Sequence, residues 1–281
     1  MKKRITLLLM SVLLLAGCST KFVYHNMDWF ILEYLDDYVT LTDQQESLVK
    51  TQIDALSQWH QTEELSNYIV QFDQLLELNP KTLTLDQLQQ HRDWIYEHYQ
   101  SLVTQIFPSI FPITTALSDK QVDEFMRGLE KRHQKYADKY ADLNESETRA
   151  KYEERIIDRM EQWLGSLTAD QEQLAGQWAN ALQITTYDWI AFQKVQRNEI
   201  QALLNQRHNQ AEFNQRLQKL LFSQEESYSS VFKAKLNYNE QTSNEYILSI
   251  VHLSTPKQIE HFKETVYEWR SLASDLHAAK R

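Results

Sequence analysis

Glycine and proline are nearly missing: the chain of 281 residues holds four of each. Together they make up about 3% of the chain, where an average protein carries roughly 12%. Sheet proteins need both residues at their turns, and phosphate-binding loops need glycine where backbone approaches a ligand. The shortage argues against sandwiches, barrels and doubly wound α/β folds. Cysteine is rarer still, with Cys18 alone, so disulfides and Cys-based metal sites are excluded. Also missing are Gly-x-Gly-x-x-Gly, the P-loop, Gly-x-Ser-x-Gly and His-Glu-x-x-His. With 42% hydrophobic and 24% charged residues, the chain is neither disordered nor a membrane bundle. The expected class is all-α, a multi-helix antiparallel bundle.

The N-terminus carries an address. Lys2, Lys3 and Arg4 precede an apolar run from Ile5 to Leu15, too short for a permanent membrane span. Leu15-Ala16-Gly17-Cys18 then matches the bacterial lipobox. Residues 1–17 are read as a lipoprotein signal peptide, with the thiol of Cys18 as the lipidated atom. Ser19 follows, where an Asp would retain a lipoprotein in the inner membrane. The expected location is the periplasmic face of the outer membrane, held there by several acyl chains. Without residues 1–17 the chain has 26 basic and 39 acidic side chains, a net charge of −13. That balance argues against nucleic acid and against broad electrostatic adhesion to anionic lipid.

Residues 18–25 are read as a short tether and 26–281 as one helical domain. Phe22, Tyr24, Trp29 and Phe30 lie in or beside the tether; either they rest at headgroup level or Trp29 and Phe30 are core. Apolar residues from Met27 to Val39 predict a short, well-buried first helix. Five later helix starts carry the capping box, in which a hydroxyl and a glutamine three residues on satisfy each other's backbone N–H groups. They begin at Thr42, Thr84, Ser118, Thr168 and Thr255. About nine helices follow, near 26–39, 42–78, 84–107, 118–141, 145–165, 168–206, 209–235, 240–253 and 255–278. A break is expected near Gln61-Thr62, and Pro108 and Pro112 predict an irregular corner. Segments 41–141 and 167–278 share the order of their start motifs, which reads either as duplication or as the likeness of all capped amphipathic helices.

Catalytic constellations do not stand out. Glu130-Lys-Arg-His133 is a lone Glu-x-x-His, and His60 with Glu64, or His91 with His98, supply too few ligands for a metal. No metal and no cofactor are expected. Two features depart from the ordinary. Asp36 and Asp37 end the first helix, where negative charge opposes the macrodipole at a cost of about 0.3–1 kcal/mol. They pair with bases, cap the turn, or face a ligand or partner. Arg127, Lys131, Lys135 and Lys139 recur every four residues, as do Lys151, Arg155 and Arg159. A short connection at Leu143-Asn144 predicts an antiparallel hairpin that joins the stripes into one basic patch, for lipid phosphate or an acidic partner. Solvated faces or salt bridges are the plain alternative.

Tyr24-His-Asn-Met-Asp28-Trp29, Tyr34-Leu-Asp36-Asp37-Tyr38-Val39 and Leu41-Thr42, just after a lipobox, resemble an uncharacterised family of Gram-negative lipoproteins. The resemblance implies a helical envelope lipoprotein and transfers no catalytic residue. Leu-Thr-x-x-Gln at 41–45, 83–87 and 167–171 is similar to the repeated motif of small periplasmic helical stress chaperones. The expectation is a non-enzymatic binding or scaffold lipoprotein that holds an unidentified envelope protein or lipid. A hydrolase or transferase of envelope polymers and a chaperone are the alternatives. Cys18→Ala is expected to give unprocessed, unacylated protein that leaves the outer-membrane fraction; wild-type fractionation of this variant would overturn the anchor.

Overall fold

The computed structural model describes residues 21–279, so Cys18 and residues 1–17, the expected signal peptide, lie outside the described residues. Of the described residues 86% are helical, with no strand among them. Eleven α-helices follow a helical turn at 21–25: α1 (Met27–Asp36), α2 (Asp43–Trp59), α3 (Leu65–Glu77), α4 (Leu85–Thr115), α5 (Asp119–Ala141), α6 (Glu145–Leu164), α7 (Ala169–Ala181), α8 (Thr186–Asn205), α9 (Gln210–Phe222), α10 (Ser230–His252) and α11 (Pro256–Ala278). The bundle is built of antiparallel pairs. Asp73 on α3 meets Arg270 on α11, and His133 on α5 meets Arg197 on α8. The apolar interior is divided into small clusters. One joins Ile156, Met160 and Leu164 of α6 to Ala175 and Trp178 of α7 and Ile250 of α10. Another joins Leu65 of α3 to Ala273 and Leu276 of α11.

All five capping boxes form, at Thr42, Thr84, Ser118, Thr168 and Thr255, and a sixth forms at Asn144 with Glu147. Four of their glutamines do a second task. Gln45 and Gln121 exchange amide hydrogen bonds of 3.1 and 2.7 Å, and Gln121 also donates to the Thr40 carbonyl at 2.9 Å. Gln171 and Gln258 exchange bonds of 3.2 and 2.8 Å, and Gln258 donates to the Ser166 carbonyl at 2.9 Å. Each pair clasps two helix N-termini, α2 to α5 and α7 to α11. In each, the donated carbonyl stands two residues before the partner's N-cap. Gln45 completes its clasp on Ala116, and Gln171 on Ile250.

Elsewhere the helices depart from expectation. Residues 21–25 of the expected 18–25 tether are already helical, and 18–20 lie outside the described residues. Helix α1 buries none of its residues fully and lies on the bundle surface; Trp29 is 55% exposed and Phe22 60%. The break expected at Gln61-Thr62 is a π-turn, His60–Glu64, that carries α2 on into α3. Helix α4 runs through both Pro108 and Pro112. Phe107 and Phe111 pack against Phe222 and Phe213 of α9, and this packing offsets a cost of about 3 kcal/mol per interior proline. The expected 168–206 helix is split at 182–185 because the open end of α7 is held from outside. Arg149 donates to the carbonyls of Ala179, Asn180 and Leu182, and Asn239 bonds both backbone groups of Gln183. The last expected break falls at 223–229 instead of 236–239, where Ser229 caps α10.

Gln171 is fully buried and Gln258 is 4% exposed. Removing either leaves buried amide groups unpaired, at about 1–3 kcal/mol. Gln171→Ala and Gln258→Ala should each destabilise by that amount, and the double variant by clearly less than the sum. Additive losses in denaturant melts would show that the two amides act separately.

Candidate functional site

Arg127, Lys131, Lys135 and Lys139 run exposed along α5; on α6 Arg155 and Arg159 are exposed and Lys151 half-buried. Among the described residues none of the seven has a carboxylate within ion-pair distance. The expected hairpin does not close. Helix α5 packs on α8 through Val122, Phe125 and Met126 against Ile200 and Leu204, while α6 packs on α7 and α11. The two apolar faces have different partners, and a cleft opens between them, lined by Tyr136 of α5 and by Arg155 and Arg159 of α6. Asp36 and Asp37 are exposed and likewise unpaired. Arg132, off the stripe register, comes nearest: it donates to the hydroxyls of Tyr34 and Tyr38, and the charge of Asp37 helps hold its proton. The Asp37–Tyr38 backbone rests on Gly128, where a Cβ would stand 2.8 Å from the Tyr38 Cα.

The cleft has a volume of about 510 Å³ and is walled by α5, α6, α7, α8 and α10. Its lining is aromatic: Tyr136, Tyr152, Trp178, Trp189, Tyr228 and Phe232. Tyr152 is fixed by a 3.0 Å hydrogen bond with Thr186, and Trp178 donates to Ser243 at 3.2 Å. The Tyr228 and Phe232 rings meet at 4.9 Å, and Trp189 stands 6.4 Å from Phe232. Burial pushes the Tyr136 phenol up to about 12, so it stays protonated. Arg155 lies over the Tyr152 ring at 4.8 Å, and Arg159 lines the cleft one turn on. No Asp, Glu, His or Cys lines it. Thus two of the seven stripe cations reach the cleft, and its only charges are positive. The helix break at 182–185 contributes Leu182 and Thr185 to the wall. Sequence spacing exposed the arginines; the aromatics, spread over α5, α6, α7, α8 and α10, carry no local signal.

A second, polar groove lies between α3 and α4. Glu64, 3% exposed, accepts from His98 Nδ1 at 2.6 Å, from Ser101 at 3.2 Å and from Asn67 at 3.4 Å. The sequence pairing of His60 with Glu64 is not the one formed: His60 instead bonds the Tyr24 hydroxyl at 2.9 Å.

A sequence model of the DUF6279 family, described as a family of unknown function, matches residues 37–233. That is more than half of the chain, and the chain belongs to this family. The matched segment holds both cleft arginines and all six aromatics. No curated protein and no solved structure matches the chain.

His133, beside the stripe, accepts a 2.8 Å hydrogen bond at Nδ1 from Arg197. Burial, Arg197 and Arg132 together hold its pKa below the usual 6.5. The unfolded chain takes up this proton near pH 6.5 and the folded chain only at lower pH, so the contribution of His133 to stability shrinks as pH falls. Thermal melts from pH 7.5 to 5.5 should show the wild type losing ground to His133→Gln, which still offers Arg197 an acceptor. A pH-independent difference between the two would refute this.

Proposed function

We propose that this DUF6279 protein is a lipid-anchored, non-enzymatic binding protein at the periplasmic face of the outer membrane, and that its aromatic cleft holds an amphiphile with an anionic head. One observation carries the reading. On a chain of net charge −10, the cleft contains two arginines, six aromatic rings and no acid. Arginine grips phosphate or carboxylate through parallel N–H donors, and its stacking on Tyr152 holds the guanidinium near the mouth. The aromatic walls bury an apolar body. The lining offers no carboxylate, imidazole or thiol for acid–base or nucleophilic work, which favours binding over turnover. The lipobox at Leu15–Cys18 and Ser19 supports the location. No helix among the described residues is long and apolar enough to cross a membrane, so the attachment falls to the lipid on Cys18.

The test is a calorimetric titration of the purified chain, lacking residues 1–17, with dodecyl phosphate and with dodecyl maltoside. Dodecyl phosphate should bind more tightly, and Arg155→Glu with Arg159→Glu should weaken it at least tenfold, about 1.4 kcal/mol or more. The melting temperature should hardly change, because neither arginine is in an ion pair. Equal binding of the two detergents, or indifference to the charge reversal, would overturn the reading.

A further inference from the structure

Helices α3 and α4 follow each other in sequence and run antiparallel, with Glu64 opposite Ser101 and Gln71 opposite His91. Yet they are not among the closely packed helix pairs. Polar side chains bridge them instead, and a space of about 430 Å³ remains between them. This is not how two amphipathic neighbours ordinarily close, since a buried polar network costs desolvation that apolar packing avoids.

The network is built with care for every donor. The Gln71 amide nitrogen donates to the His91 carbonyl at 3.4 Å, which turns its oxygen toward His98 Nε2 at 3.0 Å. The His98 ring is thus held at both nitrogens, Nε2 by Gln71 and Nδ1 by the Glu64 carboxylate, and the Tyr68 ring lies edge-on at 4.4 Å. Glu64 reaches this position through the π-turn, whose extra residue rotates Gln61 and Glu64 inward. Single π-turns inside α-helices recur at functional sites. The result is a floor whose acid and histidine already hold each other by hydrogen bonds.

Above that floor the walls are of another kind. Trp94 and Val70 supply flat apolar surface, and Gln74 and Asn67 stand at the rim. The Gln74 amide makes no hydrogen bond among the described residues. Glu97 has no ion-pair partner among the described residues, and no Lys or Arg lines the space. A free anion is therefore disfavoured here, in contrast to the arginine cleft. Amides donate and accept side by side, as the hydroxyls of a sugar do, and an indole face suits the C–H face of a sugar ring.

We propose that the α3–α4 groove is a second binding site, for a neutral carbohydrate chain, independent of the amphiphile cleft. Chitotriose titrated into the chain lacking residues 1–17 should bind and shift the indole N–H resonance of Trp94. Trp94→Ala and Gln74→Ala should each weaken binding at least tenfold while leaving the melting temperature near that of the wild type. Arg155→Glu with Arg159→Glu should leave it unchanged, which separates failure at this site from failure at the cleft. Spermidine serves as the cationic comparison, with Glu97 as its natural partner. Absence of saccharide binding by the folded protein, tighter binding of spermidine, or binding that survives Gln74→Ala and Trp94→Ala would each overturn the proposal.

Discussion

Two pairs of glutamine side chains set the frame. A helix N-terminus leaves its first N–H groups unpaired, and the capping box answers this locally. Here the same glutamine that completes the box has amide capacity left over. Gln45 spends it on Gln121, and Gln171 on Gln258. A local solution to an end problem thus becomes a long-range contact, and it fixes where α2 and α5, and α7 and α11, begin relative to each other. From those fixed starts the helices run out to pack with others: α3 beyond the π-turn onto α11, α5 onto α8, and α7 between α6 and α10. The small apolar clusters lie along these contacts. They close a framework whose corners are polar.

That arrangement explains what was legible. A box of four residues is a local signal, so all five expected starts were readable, and so was the class of the fold. The shared order of motifs in 41–141 and 167–278 has a structural counterpart in the two clasps. Where the helices end was less readable, because the deciding groups come from elsewhere. Nothing within residues 182–185 announces a break; Arg149 and Asn239 impose it from α6 and α10. Pro108 and Pro112 signal a corner that the phenylalanines of α9 cancel. The basic stripes were visible as spacing, but which cations would meet aromatics depended on α5 and α6 choosing different partners. Glu64 was visible as a possible partner of His60, whereas in the fold it pairs with His98. Its burial requires a π-turn, and the signal for that turn lies in the packing of His277 on Gln61 and of Tyr24 on His60.

The cleft and the groove divide the polar chemistry of the molecule between them. In the cleft, positive charge stands unmatched beside apolar rings. In the groove, an acid and a histidine are hydrogen-bonded to each other beside side-chain amides. The groove lies wholly within the segment matched by the family model and the cleft mostly so, its Leu236, Asn239 and Ser243 falling beyond residue 233, and neither is lined by α1 or α11.

Helix α1 stands apart from this frame. It has no fully buried residue; it packs on α2, where Asp28 pairs with Lys50 at 2.7 Å, and the segment just after it, Asp37–Val39, rests on α5 at Gly128. Amide hydrogens exchange with solvent by local opening, and openings are cheapest where little apolar surface is lost. The bundle therefore has a gradient of protection that rises from the N-terminus inward. Hydrogens of α1 exchange early, while those of α7, between the α6 and α10 faces, wait for the whole fold to open.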